Sequence, residues 1–180
     1  MKGNAAILLM ILFFLIACGC IEENENNPNS SGCGFERIVQ VTEPGQIKEA
    51  TQQGPVLLMA GSSKDPEYMA QAAVFEELAE EYEGRATVLC VDSDQDPDLA
   101  KRFLGRKDEK KLASCVILNI GRGMYLYMLE DGDVTPEYPS ASFSGFTEKE
   151  VLERTLDHAV RLREEDFLKE FEERNNKTEG

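Results

Sequence analysis

The sequence predicts a single α/β domain built on a mixed sheet, and three observations carry that prediction. Two apolar runs, residues 56–60 (VLLMA) and 86–91 (ATVLCV), have the composition of strands covered on both faces. Between them Met69, Ala72, Phe75, Leu78, Ala79 and Tyr82 recur at helical spacing until Gly84 stops the pattern. Beyond them residues 116–120 (VILNI) and 124–129 (MYLYML) flank Gly121-Arg122-Gly123 as the two arms of a hairpin. A strand, helix, strand unit calls for parallel neighbours and a hairpin for antiparallel ones, so the sheet mixes both.

The other elements follow in order. Residues 35–41 (FERIVQV) alternate well enough for a first strand, and Glu43-Pro44 opens a short helix that carries Ile47 and Ala50 before Gly54-Pro55 ends it. The cluster Gly61-Ser62-Ser63-Lys64-Asp65-Pro66 is a turn leading into the long helix. After residue 91 comes an acidic turn in which Asp96 is placed to cap a helix over 97–104. Alternating acids from Asp92 to Asp98 suggest a calcium loop, but Pro97 stands where an EF-hand needs glycine and Phe103 where it needs glutamate, so a strand end and a helix start are the better reading. Thr147, with Glu150 three residues on, reads as the capping box of a last helix that runs into the charged tail toward Arg174. No internal repeat, GxGxxG or Walker pattern is visible. The sole histidine, His158, lies on that last helix between Asp157 and Arg161, a solvated or half-buried position, and no zinc or other metal site has sequence support.

With 180 residues, 42% hydrophobic and 29% charged, the chain has the proportions of a soluble protein with one core of ordinary size. Its formal charge of -15 repels phosphate backbones, which argues against nucleic acid as a partner. A plain solvated acidic surface is the simplest reading of that charge, and an acidic cation buffer is the functional reading it would otherwise support.

The amino end carries an address. Lys2 precedes a stretch from Ala5 to Ala17 (AAILLMILFFLIA) without charge or proline, the layout of a signal peptide with an apolar core of roughly 7 to 15 residues. Extending it through Ile21 only reaches the low edge of the ~20 residues that a membrane span needs, so an uncleaved N-terminal anchor helix is the second reading. Leu15-Ile16-Ala17-Cys18-Gly19-Cys20 resembles a lipoprotein cleavage box, in which the cysteine after a small residue is lipidated. Cys20 is preferred and Cys18 is the alternative, because a polar tether begins at once after Cys20. The division is then a leader over 1–20, a flexible linker over 21–34 rich in Asn, Glu, Ser and Gly, the domain over 35–163, and a charged helical extension and tail over 164–180. Asn29-Ser30-Ser31 and Asn176-Lys177-Thr178 fit the N-glycosylation pattern. The expected location is the cell membrane, lipid-anchored, with the domain outside the cytoplasm.

From Gly54 to Phe103 the order and spacing of GPVLLMAG and FEELAEEYEGRATVLCVDSDQDPDLAKRF resemble thioredoxin without a gap, and a looser likeness extends from Ile38 to about Val160. Extra residues fall at 105–112 and around 131–140. The resemblance implies a thioredoxin-like three-layer α/β/α fold with a mixed central sheet. It also implies where dithiol chemistry would sit, at a Cys-x-x-Cys opening the long helix, where amides and the helix dipole stabilise a thiolate. The matching positions here are Asp65, Pro66, Glu67 and Tyr68. Lys64 replaces the preceding aromatic, Ser114 stands where the family has its cis-proline, and Met59 replaces the buried acid.

Once Cys20 is lipidated and Cys18 removed, Cys33, Cys90 and Cys115 remain. Cys90, inside an apolar run, is expected to act as a small apolar residue. The resemblance places Cys115 beside the former active-site surface, which makes it the one weak catalytic candidate, and Cys33 in the tether could reach it, pair elsewhere or stay reduced. The leading expectation is a membrane-anchored module that binds a protein partner or acts as a scaffold, with no cofactor. The alternative is a thiol-disulfide oxidoreductase using Cys115, with Cys33 as its resolving partner.

Overall fold

The computed structural model describes residues 35–104, 111–119 and 124–164. The leader, the linker with Cys33 and Asn29, the hairpin glycines and the tail with Asn176 lie outside the described residues.

Seven strands and five helices follow one another as β1 (Val39–Gln40), α1 (Pro44–Gln53), β2 (Val56–Gly61), α2 (Pro66–Glu81), β3 (Thr87–Asp92), α3 (Pro97–Leu104), β4 (Leu112–Asn119), β5 (Tyr125–Met128), β6 (Val134–Thr135), α4 (Tyr138–Ala141), β7 (Phe143–Ser144) and α5 (Lys149–Glu164) among the described residues. They form one sheet in the order β1-β3-β2-β4-β5-β6, with β7 also on β4. β1, β3 and β2 are parallel, and every pair from β2–β4 onward is antiparallel.

The apolar runs that announced β2 and β3 are buried because helices cover both faces of the sheet. On one face α2 and α5 pack Tyr68, Phe75, Leu78, Leu152 and Leu156 against Leu57, Met59, Cys90 and Val116. On the other, α1 and α3 pack Ile47, Leu99 and Phe103 against Leu58, Leu89, Val91 and Cys115. Neighbours along a strand point to opposite faces, which explains how Leu57 and Leu58 enter different cores. Lys149 ties α5 to α2 through Glu77 at 2.9 Å and Glu81 at 2.6 Å, and those two carboxylates raise its ammonium pKa.

Four differences from the sequence reading have local causes. β1 is two residues long, since the preceding residues bend to bring Phe35 and Ile38 onto the α2 core. β4 starts at Leu112, ahead of the expected 116; Ala113 and Ser114 have little strand propensity of their own but pair with Ala60 and Met59 of β2. The segment from 131 to 144 folds into β6, α4 and β7, each too short to leave a periodic signal. α5 begins at Lys149, so Thr147 lies ahead of the cap position; its hydroxyl turns to the Gly145 carbonyl at 3.5 Å. The Asp96 cap forms as expected, its carboxylate accepting the Leu99 amide at 2.9 Å.

Candidate functional site

β2 ends under the first turn of α2, and that junction gathers most of the residues singled out from the sequence. Asp65 is the N-cap of α2, its carboxylate accepting the Glu67 amide at 2.9 Å, with Pro66 in the first helical turn where no amide donor is required. Tyr68 points inward and is fully buried. Its ring lies over Gly61, where an added Cβ would come within 2.9 Å of Tyr68 Cδ2, so the tight β2–α2 approach depends on that glycine. Burial first, and the nearby Asp92 carboxylate second, raise the phenol pKa of Tyr68.

Met59 and Ser114 are cross-strand partners, and Met59 shares the α2-side core with Tyr68. Ser114 is fully buried and its hydroxyl has no hydrogen-bond partner among the described residues. Of the positions singled out from the sequence, Met59, Tyr68 and Ser114 are therefore buried as packing groups, while Pro66 and Glu67 are exposed. Glu67 accepts the Phe146 amide at 2.9 Å, and Gln71 one turn on accepts the Thr147 amide at 2.7 Å while donating to the Thr147 carbonyl at 3.2 Å. The start of α2 is thereby bonded to the segment that leads into α5.

The acidic turn after β3 is self-contained. Asp92 Oδ1 accepts the Asp94 amide at 2.9 Å and the Ser63 amide at 3.3 Å, and Asp94 takes the Ser62 hydroxyl at 2.5 Å and Lys64 at 3.3 Å. The Ser62 bond is the main reason the Asp94 carboxyl sits below its ordinary pKa, with Lys64 adding to it. Among the described residues no group of three acids, histidines or cysteines is placed to hold a metal ion. A shallow cleft of about 380 Å³ runs past this turn between Asp65, Ser93, Lys101 and Lys111. A larger one of about 680 Å³ lies away from α2, between α5 and the 129–143 segment, and holds Arg154 and His158. His158 is half-buried, with Arg161 3.0 Å from its Nδ1.

The cysteines depart furthest from expectation. Cys115 has no exposed surface and is in no disulfide. It sits on the α3 side of the sheet, away from the face that carries Tyr68 and Ser114, because adjacent residues of β4 point opposite ways. Tyr127 and Tyr138 pack against its core, with ring centroids 5.4 Å apart, and Tyr138 donates to the Phe103 carbonyl at 2.7 Å. Burial, and then Cys115, raise the pKa of both phenols. The resemblance places Cys115 beside the former active-site surface; the short helix α4, whose Tyr138 packs on its core, gave no periodic signal. Cys90 is disulfide-bonded, which corrects its reading as a mere apolar filler.

These layers, with an α/β/α arrangement around a mixed sheet, define a thioredoxin-like fold. A solved thioredoxin bears this out. The chain is similar to chloroplastic thioredoxin z with a TM-score of 0.50 and 16% identity, over 69% of this chain and 96% of that one. It is also similar to Deadhead, a germline-specific thioredoxin of Drosophila melanogaster, with a TM-score of 0.44 and 18% identity, over 63% of this chain and 88% of that one. No family model matches the chain, and no curated protein matches it.

Proposed function

We propose that this chain is a membrane-anchored, extracytoplasmic protein whose thioredoxin-like domain binds a protein partner and does not perform dithiol–disulfide exchange. The observation that carries the reading is the start of α2, where Asp65 caps the helix and Tyr68 is buried in place of a pair of thiols. Exchange requires an accessible thiolate and a second sulfur to resolve the mixed disulfide. Cys115 is fully buried in the core on which Tyr138 packs, and Cys90 is already oxidised. The edge of β4 at Ala113 and Ser114 is paired with Ser144 and Phe143 of β7, so a peptide strand cannot add there.

The leader, the box around Cys20 and the polar tether support the anchored location, and a disulfide at Cys90 fits an oxidising compartment. Cys20 carries the lipid, in durable attachment if two chains are added. A labelled fatty acid is expected to enter the wild-type protein and not the Cys20→Ala form; equal labelling of both would overturn this assignment.

Insulin reduction in the presence of dithiothreitol tests the chemistry. The protein is expected to give the rate of dithiothreitol alone, with Cys115→Ser indistinguishable from wild type. Turnover abolished by Cys115→Ser would establish the oxidoreductase reading instead. Affinity capture from the native membrane, compared with the Cys20→Ala form, is the route to the partner.

A further inference from the structure

Cys90 lies at the centre of the domain, yet its disulfide partner cannot come from the same sheet. The only other cysteine of the domain, Cys115, belongs to the opposite face: Cys90 is in the core under α2 and α5, Cys115 in the core under α1 and α3. The register agrees, since Cys90 pairs with Met59 and Cys115 with Leu58, neighbours along β2 that point in opposite directions. A backbone layer therefore separates the two sulfurs. The sequence holds five cysteines, and those left are Cys18, Cys20 and Cys33.

The start of the domain selects among them. Phe35 and Ile38 join the same core as Cys90, and Gln40 is the strand partner of Cys90, with the Val41 amide donating to its carbonyl at 2.8 Å. The chain thus enters the domain along the face on which the Cys90 sulfur lies. Cys33 precedes Phe35 by two residues, at most ~7 Å of extended chain. Bridged cysteines need Cα atoms roughly 4.4–6.8 Å apart. Cys18 and Cys20 would have to return from much farther up the chain, and on the lipoprotein reading one is removed and the other acylated.

We infer that Cys33 and Cys90 form the disulfide, and that this bond fastens the membrane tether to strand β3. Its formation joins two thiol sulfurs, the two protons and two electrons passing to a disulfide-bearing oxidant of the exported compartment. Cys33 is then consumed and cannot resolve a mixed disulfide at Cys115, which deepens the binding reading and rests on it for the fate of Cys18 and Cys20. Residues 21–32 alone separate Cys20 from the bond, so the extended tether reaches at most ~47 Å from the lipid-bearing residue.

The test uses the full chain extracted from membranes, alkylated, then cut after glutamate without reduction. Cleavage there puts Cys33 in residues 26–36, Cys90 in 84–109 and Cys115 in 110–130, each on its own peptide. Mass spectrometry is expected to find 26–36 joined to 84–109, parting on reduction, and Cys115 alkylated only after denaturation. A link from Cys90 to the Cys18–Cys20 peptide, to Cys115 or to a second chain would overturn the inference. So would alkylation of Cys90 without reduction. The variant Cys33→Ser should leave Cys90 open to alkylation in denaturant; a Cys90 still blocked there also overturns it. Insulin turnover alongside an intact Cys33–Cys90 link would sink the binding reading while leaving the pairing in place.

Discussion

At the scale of single residues, the start of α2 departs from the spacing read in the sequence. Met69, placed there on the apolar face, is 46% exposed, and Tyr68, one residue earlier, is buried instead with its ring over Gly61. Replacing Tyr68 by Ala removes a large buried aromatic and is expected to cost about 3–5 kcal/mol in urea unfolding. A loss below ~1 kcal/mol would mean that the ring is not part of the core. Asp94 gives a second residue-scale test. Its carboxyl pKa is lowered in the folded state, so the Ser62 and Lys64 contacts stabilise the fold above the ordinary carboxylate range. That contribution disappears as the pH falls through the depressed value. Ser62→Ala should raise the Asp94 midpoint in a carboxyl-carbon NMR titration, and an unmoved midpoint would assign the shift to Lys64 alone.

Among elements, the decisive coupling is between α2 and the segment before α5. Gln71 is buried and satisfies both backbone groups of Thr147, as a strand neighbour would. Gln71→Leu keeps comparable volume and strips those two buried groups of their partner, so a loss of about 1–3 kcal/mol is expected. Amide exchange at Phe146 and Thr147 should quicken more than in β2; uniform acceleration would show that the clamp has no local role. Elements carried by a long period or a continuous apolar run, α2, β2 and β3, were legible in the sequence to within a residue or three. β6, α4 and β7 were not, because two to four residues hold no period and their conformation is set by packing on β4 and β5. That gap hid the cover over Cys115, and so the candidate thiol could be named from sequence while its burial could not.

For the whole molecule, the question is what a small, strongly acidic domain gains from a disulfide. At -15 the chain repels itself when compact, and the seven ion pairs among the described residues are largely exposed, so they offer little compensation. A crosslink that joins Cys90 to the entry of the domain acts on the unfolded chain instead, closing a loop that spans α1, β2 and α2 and lowering the entropy of every unfolded conformation. Removing such a bond from an exported domain typically costs about 2–5 kcal/mol. Dithiothreitol is therefore expected to lower the urea midpoint of the wild-type protein and to leave that of Cys90→Ser unchanged, since the variant has no bond to lose. The variant should unfold at the midpoint of the reduced wild type, within the small difference that one buried oxygen makes. Equal wild-type midpoints with and without reductant would show that the bond contributes nothing to folding, and its effect would then be confined to tying the segment before the domain to β3.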